Sequence, residues 1–162
     1  MHNSLIQALI AKEGPLPGAL IKDITEVIGG SIHEAWQLQL EDERKLFVKT
    51  GNKEILPMLR FEANCLCKLD QFADSTLLCI PKPIDIILTQ KYVGLVLPWL
   101  ELTGKSQALL GKGLAKLHQL SAANNPGKFG WEENGFIGRS PQMKGWFESW
   151  GKCFVELRLK PQ

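Results

Sequence analysis

The sequence predicts an α+β fold: a five-stranded antiparallel sheet with one helix inserted after the third strand. Three observations support this prediction. Short apolar segments are separated by tight turns, an amphipathic segment follows the third of them, and the composition is that of a globular domain, with 162 residues, 44% hydrophobic and 22% charged. Antiparallel pairing is favoured because parallel strands need longer connections than these turns provide.

The elements follow in a regular order along the chain. The first segment is a short amphipathic helix in which Leu5, Ile6, Leu9 and Ile10 share one face. After a break at residues 14–18, the predicted strands are residues 24–27, 36–40, 45–48, 84–88 and 93–97. The predicted helices are residues 57–69, 109–120 and 143–157.

The charge and cysteine content exclude several classes of partner. A formal net charge of +2 without a basic run does not suit binding to nucleic acid or to an anionic membrane. There is no signal-peptide pattern and no apolar run of membrane-spanning length, so we expect a cytoplasmic protein. The cysteines are expected to be reduced, mostly buried thiols, because they form no CxxC pair: Cys65, Cys67, Cys79 and Cys153.

A glycine-rich turn, formed by Gly29, Gly30 and Ser31, separates the first two predicted strands. Glycine has no side chain and tolerates positive φ, so such a turn lets a phosphate approach the backbone closely. A two-glycine hairpin turn without a ligand is the alternative interpretation, and the turn alone does not decide between them.

Lys49 ends the third predicted strand, and Glu62 lies in the helix that follows. A helix packed over the sheet can place the Glu62 carboxylate against the Lys49 ammonium, which would hold that ammonium where nucleotide phosphates arrive. Each residue also has an ordinary explanation, as a solvated lysine at a strand end and an exposed helix glutamate. The combination favours phosphate binding.

The fifth predicted strand runs into a candidate adenine-binding hinge at Pro98, Trp99 and Leu100. Adenine can be bound there by backbone groups between apolar walls, with the Pro98 carbonyl as an acceptor and the Leu100 N–H as a donor. His118 lies farther along, in an apolar helix, and is expected to be a buried histidine bonded to a backbone carbonyl rather than a catalytic base.

This order of five strands and one inserted helix matches the N-lobe of protein-kinase-like folds. Residues 1–98 are therefore predicted to form such an N-lobe with an N-terminal helix. Residues 99–162 are predicted to form the hinge and the first helices of a truncated C-lobe.

The motifs together resemble the fructosamine-3-kinase (ketosamine-3-kinase) family. They are GGSIHEA at 29–35, FVKT at 47–50, FEA at 61–63, LVLPWLEL at 95–102, LAKLH at 114–118, FGW at 129–131 and NGFIG at 134–138. The resemblance implies ATP-dependent phosphorylation of the sugar 3-hydroxyl of ketosamines, either small molecules or glycated proteins, with Mg²⁺ as cofactor. It also implies that Lys49 binds phosphate, that Glu62 orients Lys49, and that residues 98–100 hold adenine.

The same resemblance implies that the catalytic aspartate and the metal ligands of the family lie beyond Gln162. We therefore expect this chain by itself to lack phosphotransferase activity, and its C-lobe helices to expose apolar faces through which it could self-associate. The alternatives are a non-catalytic N-lobe that binds nucleotide or a partner, and a kinase of another amine or an aminoglycoside. The tail motifs argue against the last.

Overall fold

The predicted five-stranded antiparallel sheet is confirmed. The computed structural model describes residues 1–29, 32–102, 106–124 and 127–161. The sheet has the strand order β1-β2-β3-β5-β4, and each neighbouring pair is antiparallel. Its strands are β1 (Ile21–Glu26), β2 (Glu34–Leu40), β3 (Lys45–Asn52), β4 (Asp85–Leu88) and β5 (Tyr92–Pro98).

Four α-helices accompany the sheet in the described part of the chain: α1 (Asn3–Ile10), α2 (Leu56–Phe72), α3 (Gln107–Asn124) and α4 (Trp150–Phe154). Helix α2 follows β3 after one 3₁₀ turn, as the amphipathic pattern predicted. Pro57 is the second residue of α2, where its missing N–H breaks no helical hydrogen bond.

The two faces of the sheet carry separate apolar clusters. Helix α1 packs on one face, where Leu5 and Leu9 are buried with Leu38, Val48 and other strand residues. Helix α2 packs on the other face. Its two buried residues, Leu59 and Ala63, lie one turn apart and pack with the buried side chains of β5. Because successive strand residues face opposite sides, neighbouring positions in β3 belong to different environments.

The chain divides into two compact units. The first unit consists of residues 1–70 and 80–103 and holds the five-stranded sheet with α1 and most of α2. The second unit consists of residues 71–79 and 104–162 and holds α3, α4 and four short strands. The last two residues of α2 thus belong to the second unit. The predicted domain boundary after residue 98 remains a prediction.

The predicted helix at residues 143–157 is wrong in its first half. The tail instead contains two small antiparallel pairs, β6 (Phe129–Trp131) with β9 (Gly145–Phe147) and β7 (Gly135–Ile137) with β8 (Ser140–Gln142). Helix α4 begins only after Ser149, whose side chain accepts a hydrogen bond from the N–H of Lys152, and it continues into a π-helical segment, Val155–Leu159. A close approach of the Gly130 and Gly145 backbones, which a Cβ at Gly130 would prevent, brings β9 against β6.

The thiols differ in part from the expectation. The four cysteines all lie among the described residues and form no disulfide there, but only Cys153 is buried, whereas Cys65 is half-buried and Cys67 and Cys79 are exposed. Along the described residues, no helix is both long and apolar enough to cross a membrane.

Candidate functional site

The structure brings the predicted pair Lys49 and Glu62 together. The Lys49 Nζ donates a hydrogen bond to Glu62 Oε1 over 2.5 Å, and the side chains are only 28% and 32% exposed. The ion pair is therefore partly shielded from solvent, and it lies on the side of the sheet that α2 covers.

Strand alternation explains why Lys49 points towards α2. Leu46, Val48 and Thr50 of β3 are buried, the first two of them in the cluster beneath α1, so Phe47 and Lys49 face the opposite side. The direct cross-strand neighbours of Lys49 are Ala35 on β2 and Leu95 on β5, and both are apolar. A lysine ammonium among apolar neighbours needs a counter-charge, and Glu62 supplies it.

The packing of α2 on the sheet explains the position of Glu62. Leu59 and Ala63 are buried against the sheet, and Glu62 lies between them on the same side of the helix. The carboxylate therefore emerges at the edge of the apolar contact and can reach β3. The hydrogen bond to Glu62 therefore holds the Lys49 ammonium in place on this face of the sheet.

The glycine-rich turn is described only at its first residue. Gly29 has a φ of 129°, a backbone conformation that residues other than glycine rarely adopt. A Cβ at this position would meet open space. The turn therefore requires glycine at this position for its backbone conformation, not for lack of room. The predicted contributions of Gly30 and Ser31 lie outside the described residues.

The candidate hinge follows β5 directly. Pro98 is opposite Leu46 on β3, and the N–H of Trp99 donates to the carbonyl of Lys45 over 3.2 Å. Since Pro98 has no N–H and that of Trp99 is used, Leu100 is the first residue after β5 whose N–H meets no described backbone carbonyl.

The hinge is also held by side chains. The Trp99 ring packs against Phe47 with ring centres 6.2 Å apart, on the face of the sheet that carries Lys49. Beside it, Lys45 Nζ donates to Glu101 Oε1 over 2.9 Å, and this hydrogen bond lowers the pKa of the Glu101 carboxyl. These contacts tie the chain after β5 to β3.

Sequence reasoning missed a polar chain on the opposite face of β3. Trp36 Nε1 donates to Thr50 Oγ1 over 2.8 Å, and that hydroxyl donates to Glu34 Oε2 over 3.4 Å. Thr50 is buried, so this chain satisfies its hydroxyl within the α1-side of the sheet. Period-2 alternation places Thr50 opposite to Lys49, but nothing local in the sequence identifies Trp36 as its partner.

Two further expectations concern histidine and metal. His118 is exposed on α3, so the prediction of a buried histidine is wrong. Within the described ranges, no three His, Cys, Asp or Glu side chains stand together in a way that could hold a metal ion.

Known proteins with similar sequences carry the names ketoamine kinase and ribulosamine kinase. A probable ketoamine kinase from Synechocystis sp. is 33% identical over 142 residues, which cover 86% of this chain and 46% of that protein. A chloroplastic protein-ribulosamine 3-kinase from Arabidopsis thaliana is 31% identical over 164 residues, which cover 98% of this chain and 47% of that protein. The chain thus spans about half the length of the curated relatives it matches.

Solved structures agree with the sequence relatives. A crystal structure from Haemophilus somnus, named as a candidate fructosamine-3-kinase, matches with a TM-score of 0.72 and 26% identity over 87% of this chain and 46% of that one. A second, from Thermobifida fusca, matches in fold with a TM-score of 0.67 at 21% identity over 89% of this chain. These neighbours confirm the predicted kinase-like fold. The fructosamine kinase family model matches residues 1–162, and the chain therefore belongs to the fructosamine kinase family.

Proposed function

We propose that this chain supplies the nucleotide-binding half of an ATP-dependent kinase that phosphorylates the sugar 3-hydroxyl of ketosamines. Fructosamine and ribulosamine adducts, on small amines or on glycated proteins, are the substrate class. The observation that carries the proposal is the partly buried Lys49–Glu62 ion pair on the sheet of a fructosamine kinase family member.

Lys49 would bind the phosphates of ATP. Its ammonium is fixed by Glu62 and flanked by the apolar side chains of Ala35 and Leu95, so it is already positioned before a nucleotide binds. A positioned cation loses little conformational freedom when an anion arrives, which favours binding. Gly29, at the entrance of the glycine-rich turn, would let the backbone approach the same phosphates.

Residues Pro98 to Leu100 would hold the adenine. Lys49 pairs with Leu95 on β5, so the hinge begins three residues farther along that strand, about 10 Å away. This spacing is comparable with the length of an adenosine group. The Leu100 N–H and the Pro98 carbonyl remain the proposed donor and acceptor, and Phe47 and Trp99 provide apolar surface on the same side.

Phosphate transfer also needs a group that accepts the proton of the sugar hydroxyl and ligands for Mg²⁺, which would offset the phosphate charge when bound. The described residues do not gather such ligands. Since the matched stretch is about half of each relative, we assign these roles to the part of the family fold outside these residues.

Nucleotide affinity tests the proposal. Lys49→Gln should weaken binding of a fluorescent ATP analogue by about tenfold or more, because it removes the cation that meets the phosphates. Lys22→Gln is the matched control, since it also removes one positive charge and one ion pair, the exposed contact with Glu43. Equal affinities of the Lys49 and Lys22 variants would contradict the proposed phosphate site.

A second candidate function is nucleotide binding without chemistry. It is favoured by the Lys49–Glu62 ion pair itself, which would serve a binding module as well as a kinase. Transfer of the ATP γ-phosphate to fructosyl-lysine and ribulosyl-lysine, followed by ³¹P NMR, separates the two candidates. Transfer of phosphate to either substrate would favour the kinase. Binding of nucleotide without transfer would favour the binding module.

A further inference from the structure

The backbone after β5 continues along β3 for one more residue pair. Trp99 donates its N–H to the Lys45 carbonyl over 3.2 Å, so these two residues form a hydrogen-bonded pair. Such pairs alternate with non-hydrogen-bonded ones, and the preceding pair, Leu46 with Pro98, is therefore of the second kind. The Pro98 carbonyl consequently points away from β3. Strand β4 does not cover it, because the pairing of β4 with β5 extends only to Val96.

The side chains that follow indicate that the extended conformation continues past β5. The Trp99 ring packs against Phe47. Two residues later, Glu101 Oε1 accepts a hydrogen bond from Lys45 Nζ over 2.9 Å. Lys45 and Phe47 face the same side of β3, so Trp99 and Glu101 both reach that side. The residue between them then faces the other way, which places its N–H at the same edge as the Pro98 carbonyl.

Four side chains on one face of the sheet thus hold this segment. The hinge clamp consists of Lys45, Phe47, Trp99 and Glu101. Of residues 100–102, only Glu101 forms a hydrogen bond or ion pair with the described part of the sheet. Leu102 is 91% exposed, so the attached segment ends there. The Leu100 backbone is therefore held from both sides, by Trp99 before it and by Glu101 after it.

The ion pair of the clamp is charged at neutral pH and lies largely in solvent. The hydrogen bond from Lys45, and then its positive charge, lower the pKa of the Glu101 carboxyl. The side chains of Lys45 and Glu101 are 41% and 67% exposed, and a pair of this kind adds little to the stability of the whole fold. Its loss should therefore leave the domain folded and change the local position of the backbone beside it.

We propose that the hinge clamp positions the Pro98 carbonyl and the Leu100 N–H for the base of the nucleotide. Lys45 and Glu101 are positioning residues, because they act through the backbone that they hold. Since Lys45 and Lys49 lie on the same face of β3, one strand would set the positions of both the base and the phosphates. This inference rests on the proposed function for its effect on base binding, but its effect on the free hinge does not.

Glu101→Gln is the sharpest variant, because net charge and hinge position predict opposite results. Loss of a negative charge would by itself strengthen the binding of an anion. Loss of the clamp should instead weaken ATP binding by about threefold, measured by displacement of the fluorescent ATP analogue. Glu43→Gln removes the same charge and the exposed ion pair with Lys22, and it should not weaken ATP binding. An ATP affinity of Glu101→Gln at or above that of the wild type would overturn the proposal.

Inorganic tripolyphosphate distinguishes hinge positioning from general loosening of the site. It carries phosphates without a base, so Glu101→Gln should not weaken its displacement of the fluorescent analogue. Lys49→Gln should weaken the binding of both ligands, because it removes the cation that meets the phosphates. An equal loss of ATP and tripolyphosphate affinity in Glu101→Gln would overturn the positioning role.

A charge exchange tests the contact itself. Lys45→Glu and Glu101→Lys should each weaken ATP binding. The double variant Lys45→Glu/Glu101→Lys should return close to the wild type, because it restores the ion pair with reversed polarity and the same net charge. Losses that simply add in the double variant would show that the two side chains do not act as a pair, and would overturn the clamp.

Amide hydrogen exchange of the nucleotide-free chain separates this inference from the proposed function. The Trp99 amide, which is bonded to the Lys45 carbonyl, should exchange about threefold faster in Glu101→Gln and at the wild-type rate in Glu43→Gln. If Lys49→Gln abolishes nucleotide binding while Glu101→Gln changes neither ATP affinity nor this exchange, the nucleotide site holds and the clamp fails. If the wild type binds no nucleotide, the proposed function fails for this chain, and the Trp99 exchange alone decides whether the clamp holds the hinge.

Discussion

Strand β5 in the first unit and helix α3 in the second are both rich in apolar residues, but their environments differ. Leu95 and Val96 of β5 are fully buried, whereas Leu110 and Leu114 of α3 are 52% and 47% exposed. The same contrast holds for the whole units. Among the described buried apolar side chains, the second unit contributes only Leu117, Cys153 and Leu157, and all the others belong to the first.

The exposed apolar side chains show the reverse distribution. Most of the large ones lie in the second unit, on α3 and between residues 129 and 159, including the stacked rings of Trp150 and Phe154. The first unit completes its core with its own elements, so we expect it to supply most of the folding free energy. The second unit presents apolar surface of the kind that normally meets another protein surface.

The largest expected effect is a stability difference between the two units. Leu38→Ala, at a fully buried position of the first unit, should lower the free energy of unfolding by about 3 kcal/mol, because it removes transfer energy and leaves a cavity. Leu114→Ala, at a half-exposed position of α3, should cost about 1 kcal/mol or less. Urea unfolding followed by circular dichroism measures both. Similar losses would contradict the contrast in burial.

An intermediate effect is expected on self-association, which we propose from the exposed face of α3. The double variant Leu110→Glu/Leu114→Glu should weaken association by about tenfold or more, because it places charges in the apolar contact. Leu20→Glu, at a 70% exposed position of the first unit, is the control and should leave association unchanged. Sedimentation velocity over a range of concentrations measures both. A wild type that is monomeric throughout would refute this expectation.

The smallest expected effect is a pH dependence located in the second unit. The pKa of the Asp74 carboxyl is lowered to about 2, first by the hydrogen bond from Lys116 and then by those from Thr76. A lowered folded-state pKa stabilises the fold above the ordinary value of 3.8, and this contribution disappears as pH falls towards 2.

Accordingly, the stability difference between the wild type and Asp74→Asn should be constant from neutral pH down to about pH 5 and shrink below about pH 4. Chemical unfolding at a series of pH values measures it. Asp70→Asn serves as the control at the same end of α2. A difference between wild type and Asp74→Asn that does not change with pH would contradict the assigned ion pair.

The sheet and the Lys49–Glu62 contact could be predicted because both depend on short-range patterns. Alternation identified the strands, and the helix between β3 and β4 has a period that places Glu62 on the side of Leu59 and Ala63. The roles assigned to Lys49 and Glu62 in nucleotide binding remain predictions, because no contact within the chain reports on a ligand.

The tail was mispredicted for an identifiable reason. Trp146, Trp150 and Phe154 are four residues apart, which imitates a helical face, but Trp146 belongs to β9 and only the other two stack on α4. Gly145 and Ser149 were the signals against one continuous helix, since Ser149 caps α4.

Contacts between residues far apart in the sequence could not be predicted. An aspartate two residues before a threonine suggests a capped turn at Asp74, but its ion pair with Lys116 joins positions 42 residues apart. Likewise the sequence could not show that α3 is buried through Gly113 and Leu117, leaving Leu110 and His118 exposed. Which side of an amphipathic helix is covered depends on tertiary contacts that its own pattern does not contain.

Lys49 and Thr50 are adjacent in the chain but face opposite sides of β3, one towards α2 and the other towards Trp36. A single residue inserted into or deleted from this strand would exchange their surroundings, moving an ammonium into an apolar cluster and leaving Glu62 with a hydroxyl. Homologous sequences should therefore align through β3 without gaps. Length differences should instead accumulate in the exposed turn at residues 41–44, where an extra residue shifts neither face of the sheet.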